Sequence, residues 1–182
     1  MELIGTHNSG TGEKSYKWYH RLLIPFACCQ SKTIREQLKA GCTYFDLRVH
    51  RNNKGIYRIC HGIWYSEMDL KDILNILNQS NHSDIFFQIT IENEEIEGKW
   101  KEEIENIIPC SSRLHLTQLN HKSKDNWEVL KYYIPCPVVM QGFLPLDGHS
   151  WHTYLPIPWL WKKIYHNNPK WSKAYYKLVD FL

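Results

Sequence analysis

Three side chains in this sequence have the types needed to cleave a phosphodiester. His7 stands in Gly5-Thr6-His7-Asn8-Ser9-Gly10, His61 stands in His61-Gly62, and Arg48 lies between them in Tyr44-Phe45-Asp46-Leu47-Arg48-Val49. One imidazole can take a proton from an attacking hydroxyl while a second protonates the leaving oxygen. A guanidinium, always charged, can hold the negative charge that develops on phosphorus. Each motif alone is weak, and a hydrogen-bonded turn histidine or an interior Asp46–Arg48 ion pair would leave the same residues. Their order, each at or near the end of a strand-like segment, is what makes the set informative.

The elements that must position these groups follow from pattern. Leu3–His7 reads as a short strand running into a glycine-rich turn, with a loop over about Gly10–Ser31. Thr33 and Glu36 form a capping box ahead of a helix over Ile34–Ala40, and Gly41 stands where a helix ends. A strand over Thr43–Val49 puts Tyr44, Asp46 and Arg48 on one face and Phe45, Leu47 and Val49 on the other. Asn52–Gly55 reads as a turn into a strand over Ile56–His61, and Asp69 caps a helix over Leu70–Leu77. Asp84–Ile91 is a strand with Gln88, Thr90 and Glu92 on its polar side. Helices are expected over Glu95–Ile108 and Asn126–Tyr133, with short strands at Leu114–Leu116, Pro137–Gln141 and Lys177–Phe181. Strands alternating with helices imply an α/β fold with a largely parallel sheet. Polar groups gathered at the strand ends suit the mouth of a (β/α) barrel.

Composition narrows the function classes. The 182 residues suit one domain over 1–182, and a net charge of +3 provides no basic footprint for nucleic acid. No apolar run approaches the roughly 18 residues that would span a bilayer, and no signal-peptide pattern opens the chain, so a cytoplasmic or peripheral-membrane location is expected. The six cysteines carry no zinc spacing and read as reduced thiols. Two aromatic and apolar segments, Arg21–Ala27 and Leu155–Lys163, could meet a lipid surface. Trp159, Leu160 and Trp161 beside Lys162 are candidate interface residues, with Trp64-Tyr65 nearby. Capping the core or holding a partner protein is the alternative for these aromatics.

These motifs together resemble the X-domain family of phosphatidylinositol-specific phospholipase C. The resemblance is carried by Gly5–Thr11, Gln37–Arg48, His61-Gly62, Ile89-Thr90-Ile91-Glu92-Asn93 and Leu178-Val179-Asp180-Phe181. It is dense over residues 3–93 and sparse beyond. It implies a TIM-type (β/α) barrel, compact or incomplete at this length, acting as a monomer on a phospholipid membrane surface. It further implies that His7 is the base for the inositol 2-hydroxyl and His61 the acid for the diacylglycerol oxygen. Asp180 would orient His7, while Asp46 and Arg48 complete the catalytic set and Asn8, Arg48 and Glu92 line the phosphate site. The product would be 1,2-cyclic inositol phosphate. The pattern is mixed, because Asn8 and Glu92 stand in calcium-dependent contexts whereas Arg48 stands where a metal-independent member carries its phosphate-binding arginine. A calcium site built on Asn8, Asp46 and Glu92 is therefore the alternative to the preferred reading without metal. A phosphodiesterase for another head group and a non-catalytic membrane module on a degenerate barrel also remain open.

Overall fold

The computed structural model describes residues 3–23, 27–93, 95–96, 98–123, 126–132, 139–141 and 176–179. Its centre is a mixed sheet built from β1 (Leu3–Thr6), β2 (Tyr44–Arg51), β3 (Tyr57–His61), β4 (Trp64–Asp69), β5 (Ile85–Ile91), β6 (Leu114–Ser123), β7 (Asn126–Tyr132), β8 (Val139–Gln141) and β9 (Tyr176–Val179). The helices are α1 (Ile34–Lys39), α2 (Leu70–Asn78) and α3 (Trp100–Ile107). Strands β6, β5, β2, β1, β9 and β8 lie side by side in that order and are all parallel. This is the strand succession of a barrel wall, and among the described residues it does not close. Antiparallel pairing enters through β3 on β2, β4 on β3 and β7 on β6.

The expected faces of β2 and β5 are realised. Phe45, Leu47 and Val49 join Phe87, Ile89 and Ile91 in one fully buried cluster with Leu70, Ile73, Leu74 and Leu77 of α2. Each such aliphatic side chain contributes about 1.5–3 kcal/mol by leaving water, so this face fixes the register of the opposite one. Both helix starts are capped as the sequence implies. Glu36 N–H donates to Thr33 Oγ1 at 3.3 Å while Thr33 N–H donates to Glu36 Oε2 at 2.8 Å. Asp69 and Asp72 form the same reciprocal pair ahead of α2.

Several elements differ from the sequence reading, among them β6, which runs to Ser123 where a short strand over Leu114–Leu116 is expected. Trp64 belongs to β4, where Trp64 and Ser66 point inward; its indole is fully buried and donates to Ser15 Oγ at 3.1 Å, so it is not a surface aromatic. Asn126–Tyr132 is a strand, because β6 is long enough to pair with it over Gln118–Ser123. Cross-strand hydrogen bonds there replace the internal ones a helix would have made. Helix α3 begins only at Trp100, since Gly98 takes φ +86° and cannot lie inside a helix. Among the described residues Cys28, Cys29, Cys42 and Cys60 are buried and Cys110 is exposed. Burial pushes the Cys28 and Cys42 thiols up to about 12, which keeps them unreactive at neutral pH.

Candidate active site

Strand β1 is short, and that shortness makes the site. It pairs with β2 only at Tyr44 and Phe45, while β3 pairs with β2 at Val49, His50 and Arg51. His7 emerges where β1 stops, and β3 runs back toward it to deliver His61. His61 therefore arrives on an antiparallel hairpin and not at the end of a parallel strand.

The turn after β1 is held by its own polar side chains. Asn8 adopts a left-handed conformation at φ +47°, which only a few residue types tolerate. Its carbonyl accepts from Thr11 N–H at 2.9 Å and from Thr11 Oγ1 at 2.8 Å. Ser9 Oγ donates to the Thr6 carbonyl at 2.7 Å and accepts from Asp46 N–H at 2.9 Å. Gln30 Nε2 donates to the His7 carbonyl at 3.0 Å, and Gln37 Nε2 to the Ser9 carbonyl at 2.8 Å. The Thr, Ser and Gln of the motifs thus hold backbone, leaving His7 and Asn8 to face the site.

At the centre lies Asp46, 1% exposed. Its Oδ2 accepts from Asn8 N–H at 3.1 Å, and its Oδ1 accepts from Gln88 Nε2 at 3.0 Å. Arg48 Nε stands 3.6 Å and His7 Nε2 3.7 Å from Oδ2. Burial opposes ionisation of this carboxyl, but Arg48, His7, Gln88 and Asn8 together hold it below the usual carboxylate range. A charged Asp46 in turn fixes the guanidinium.

Arg48 reaches both sides of the site. Its Nη2 lies 2.8 Å from His7 Nε2 and its Nη1 lies 3.6 Å from Glu92 Oε1. A guanidinium can only donate, so His7 Nε2 presents its lone pair. The second imidazole is fixed in the same tautomer by different means. His61 Nδ1 contacts the Ala27 carbonyl, an acceptor, so Nδ1 carries the hydrogen and Nε2 is bare. Asn8 Nδ2 donates to that Nε2 at 3.3 Å and to Cys29 Sγ at 3.2 Å. Burial, then the Arg48 charge, lowers the His61 pKa to about 4, against opposing effects of the Ala27 carbonyl and Glu92. Two imidazoles with bare Nε2 atoms around one guanidinium can accept and return protons at a bound anion.

The residues are a poor fit to calcium. Both candidate carboxylates face the Arg48 guanidinium, a fixed cation where calcium would need anionic oxygens. Calcium takes six to eight oxygen ligands. The expected site residues His7, Asn8, Asp46, Arg48, His61 and Glu92 are brought together. Asp180, Trp159, Leu160 and Trp161 lie outside the described residues; β9 ends at Val179, opposite Thr6 of β1. Sequence reasoning gave no role to the Ala27 carbonyl, which has no residue-type signal. It also gave none to Gln88, although Gln88 lies on the polar face of β5 opposite Asp46.

Comparison with known proteins gives the family and the fold. The family model for phosphatidylinositol-specific phospholipase C, X domain, matches residues 7–124. Among solved structures, the phosphatidylinositol-specific phospholipase C of Listeria monocytogenes superposes with a TM-score of 0.63 at 14% identity, covering 100% of this chain and 88% of that one. This likeness shows the fold, a TIM-type barrel. A Staphylococcus aureus phosphatidylinositol-specific phospholipase C gives a TM-score of 0.47 at 16% identity, covering 66% of this chain. The chain spans about half the length of that protein, 47%. No curated protein sequence matches. Matched over more than half its length, the chain belongs to the phosphatidylinositol-specific phospholipase C X-domain family.

Proposed function

We propose that this protein cleaves phosphatidylinositol to diacylglycerol and 1,2-cyclic inositol phosphate. The observation that carries the reading is the 2.8 Å approach of Arg48 Nη2 to His7 Nε2, with His61 presenting its own Nε2 across Asn8. His7 takes the proton of the inositol 2-hydroxyl, whose oxygen attacks phosphorus. The bond from phosphorus to the glycerol oxygen breaks, and His61 gives that oxygen a proton. Arg48 holds the charge on the phosphoryl oxygens, and Asp46 holds Arg48. Asp180 is the proposed orienting carboxylate for His7.

His61 must be charged before it can act as an acid. The free site disfavours that, with burial and the Arg48 guanidinium as the causes. A phosphodiester anion bound at Arg48 offsets this charge and restores proton affinity to His61. The Asn8 amide oxygen, buried without a hydrogen-bond partner in the free protein, can turn to hold the charged imidazole until its Nε2 proton passes to the glycerol oxygen. Proton uptake is thereby tied to substrate binding.

Catalysis is proposed to need no metal, since Arg48 stands between the two carboxylates that calcium would require. His7→Ala and His61→Ala should each lower turnover of phosphatidylinositol by about 10²–10⁴-fold. Near-wild-type activity in either variant would overturn the mechanism. Cleavage of another phospholipid in preference would point to a different head group, and lipid binding without turnover to a non-catalytic module.

The proposed partner is a lipid surface. Trp18, Leu22 and Ile63 are 76%, 68% and 71% exposed. The short 3-10 helix Trp18–Leu23 is joined to β4, with Tyr16 N–H donating to the Tyr65 carbonyl at 2.9 Å and His20 Nδ1 lying 3.3 Å from the same oxygen. Ile63 sits in the turn between His61 and β4, so these apolar groups belong to adjoining elements beside the site. Lys17 and Arg21 supply cations among them, as an anionic interface favours. No described helix is long and apolar enough to cross a membrane.

A further inference from the structure

Glu92 has no part in the proton transfers above, yet its side chain is only 6% exposed. A buried carboxylate beside a phosphate site repels the substrate unless its charge has another use. Both of its oxygens are engaged. Oε2 accepts from Gly62 N–H at 2.7 Å and lies 3.7 Å from Cys60 Sγ, which flanks His61 on its other side. Oε1 faces Arg48 Nη1 at 3.6 Å.

The backbone that carries Glu92 is itself tied down. Glu92 N–H donates to the Val49 carbonyl at 2.8 Å, just after β5 ends. Asn93 Oδ1 accepts from Arg51 N–H at 2.7 Å, and Asn93 Nδ2 donates to the Arg51 carbonyl at 3.0 Å. His121 Nε2 lies 2.7 Å from the Asn93 carbonyl. The segment is thus bound to β2 on one side and β6 on the other. By contrast His61 stands on a hairpin whose tip, Ile63, is open to solvent, and among the described residues its ring is held by the Ala27 carbonyl and Asn8.

We infer that Glu92 is a positioning residue, a carboxylate clamp that holds the His61-Gly62 turn at a fixed distance from Arg48 through the Gly62 N–H. Its place explains why a glutamate is compatible with an arginine-based phosphate site: one oxygen neutralises the outer edge of the guanidinium and the other fixes the acid. This rests on the phospholipase reading for what the acid does, and on the hydrogen bonds alone for the clamp.

Two soluble inositol phosphodiesters separate positioning of the acid from general damage. One carries an alkyl leaving group that needs a proton, the other a nitrophenyl group that departs without one. Glu92→Ala should lower the alkyl-to-nitrophenyl rate ratio by at least about tenfold, a fraction of what general-acid catalysis supplies. Glu92→Gln keeps an oxygen for Gly62 N–H and should restore the ratio to within about threefold. Hydrogen exchange of the Gly62 amide, read by NMR, should be fast in Glu92→Ala and slow in Glu92→Gln. An unchanged ratio in Glu92→Ala, or a fall in Glu92→Gln as deep as in Glu92→Ala, would overturn the inference. A wild-type protein inert on both substrates would instead overturn the phospholipase reading, and the Gly62 exchange would still decide the clamp.

Discussion

Arg48 decides more of this site than either histidine. Its guanidinium faces His7, the buried Asp46 and Glu92 at once, a reach that depends on a planar fork of donors. Arg48→Lys preserves the charge but not those contacts, and kcat/KM should fall by about 10²-fold or more, the scale of a lost transition-state donor. The His61 pKa, lowered to about 4, carries a separate expectation for stability. The unfolded chain binds a proton at His61 near pH 6.5 and the folded one only near 4, so stability is full above 6.5 and falls as pH drops through that window. The loss is at most about 3 kcal/mol. His50, lowered by burial, acts in the same direction, so the comparison must be made by difference. Urea unfolding at pH 7 and pH 4.5 should show a smaller loss for His61→Asn than for wild type. Asp46 is held below its usual range and stabilises the fold down to pH values under 3.8, outside this window. An equal loss in both proteins would show that His61 is not buried in its neutral form.

Strands and turns convert these residues into a site, and most of that conversion could be read from sequence. Alternation in Tyr44–Val49 placed Asp46 and Arg48 together because Phe45, Leu47 and Val49 have to face the core, and the structure obeys it. Thr33 and Asp69 announced their helices through local capping chemistry. What could not be read was long-range. Trp64–Asp69 alternates over only a few residues, and its pairing with β3 is set by the return of the hairpin. Asn126–Tyr132 has no local preference strong enough to resist pairing with β6. The Ala27 carbonyl on His61 is a backbone atom brought in by the loop and leaves no mark in residue types. The glycine-rich turn, by contrast, has a steric reason that its composition hinted at. A Cβ on Gly12 would lie 1.9 Å from the Lys32 carbonyl oxygen, a backbone atom that cannot swing aside. Gly12→Ala should therefore destabilise the protein by about 1–3 kcal/mol or more, seen as a lower Tm, with activity lost in step with folding. A Tm within error of wild type would mean that the loop over 27–32 lies farther from this turn.

At the scale of the whole molecule, the row of parallel strands that carries the site and the exposed apolar groups on its neighbouring elements belong together. Trp18, Leu22 and Ile63 stand exposed on the 3-10 helix and the hairpin turn that adjoin β4, and the proposed substrate, with two acyl chains, would need such a rim. Replacing Trp18, Leu22 and Ile63 together by Ala should reduce partition onto phosphatidylinositol vesicles by about tenfold or more, since each buried side chain contributes on the order of 1 kcal/mol. Cleavage of a soluble analogue should stay within about twofold. Equal losses on both substrates would assign these side chains to folding instead of the interface. The most direct measurement on the function itself is phosphorus NMR of the products formed from phosphatidylinositol vesicles, with and without EDTA. The expected result is a 1,2-cyclic inositol phosphate signal that appears at the same rate in both samples. A non-cyclic phosphate as first product, or a signal abolished by EDTA and restored by calcium, would contradict the histidine pair with Arg48 as a self-sufficient centre.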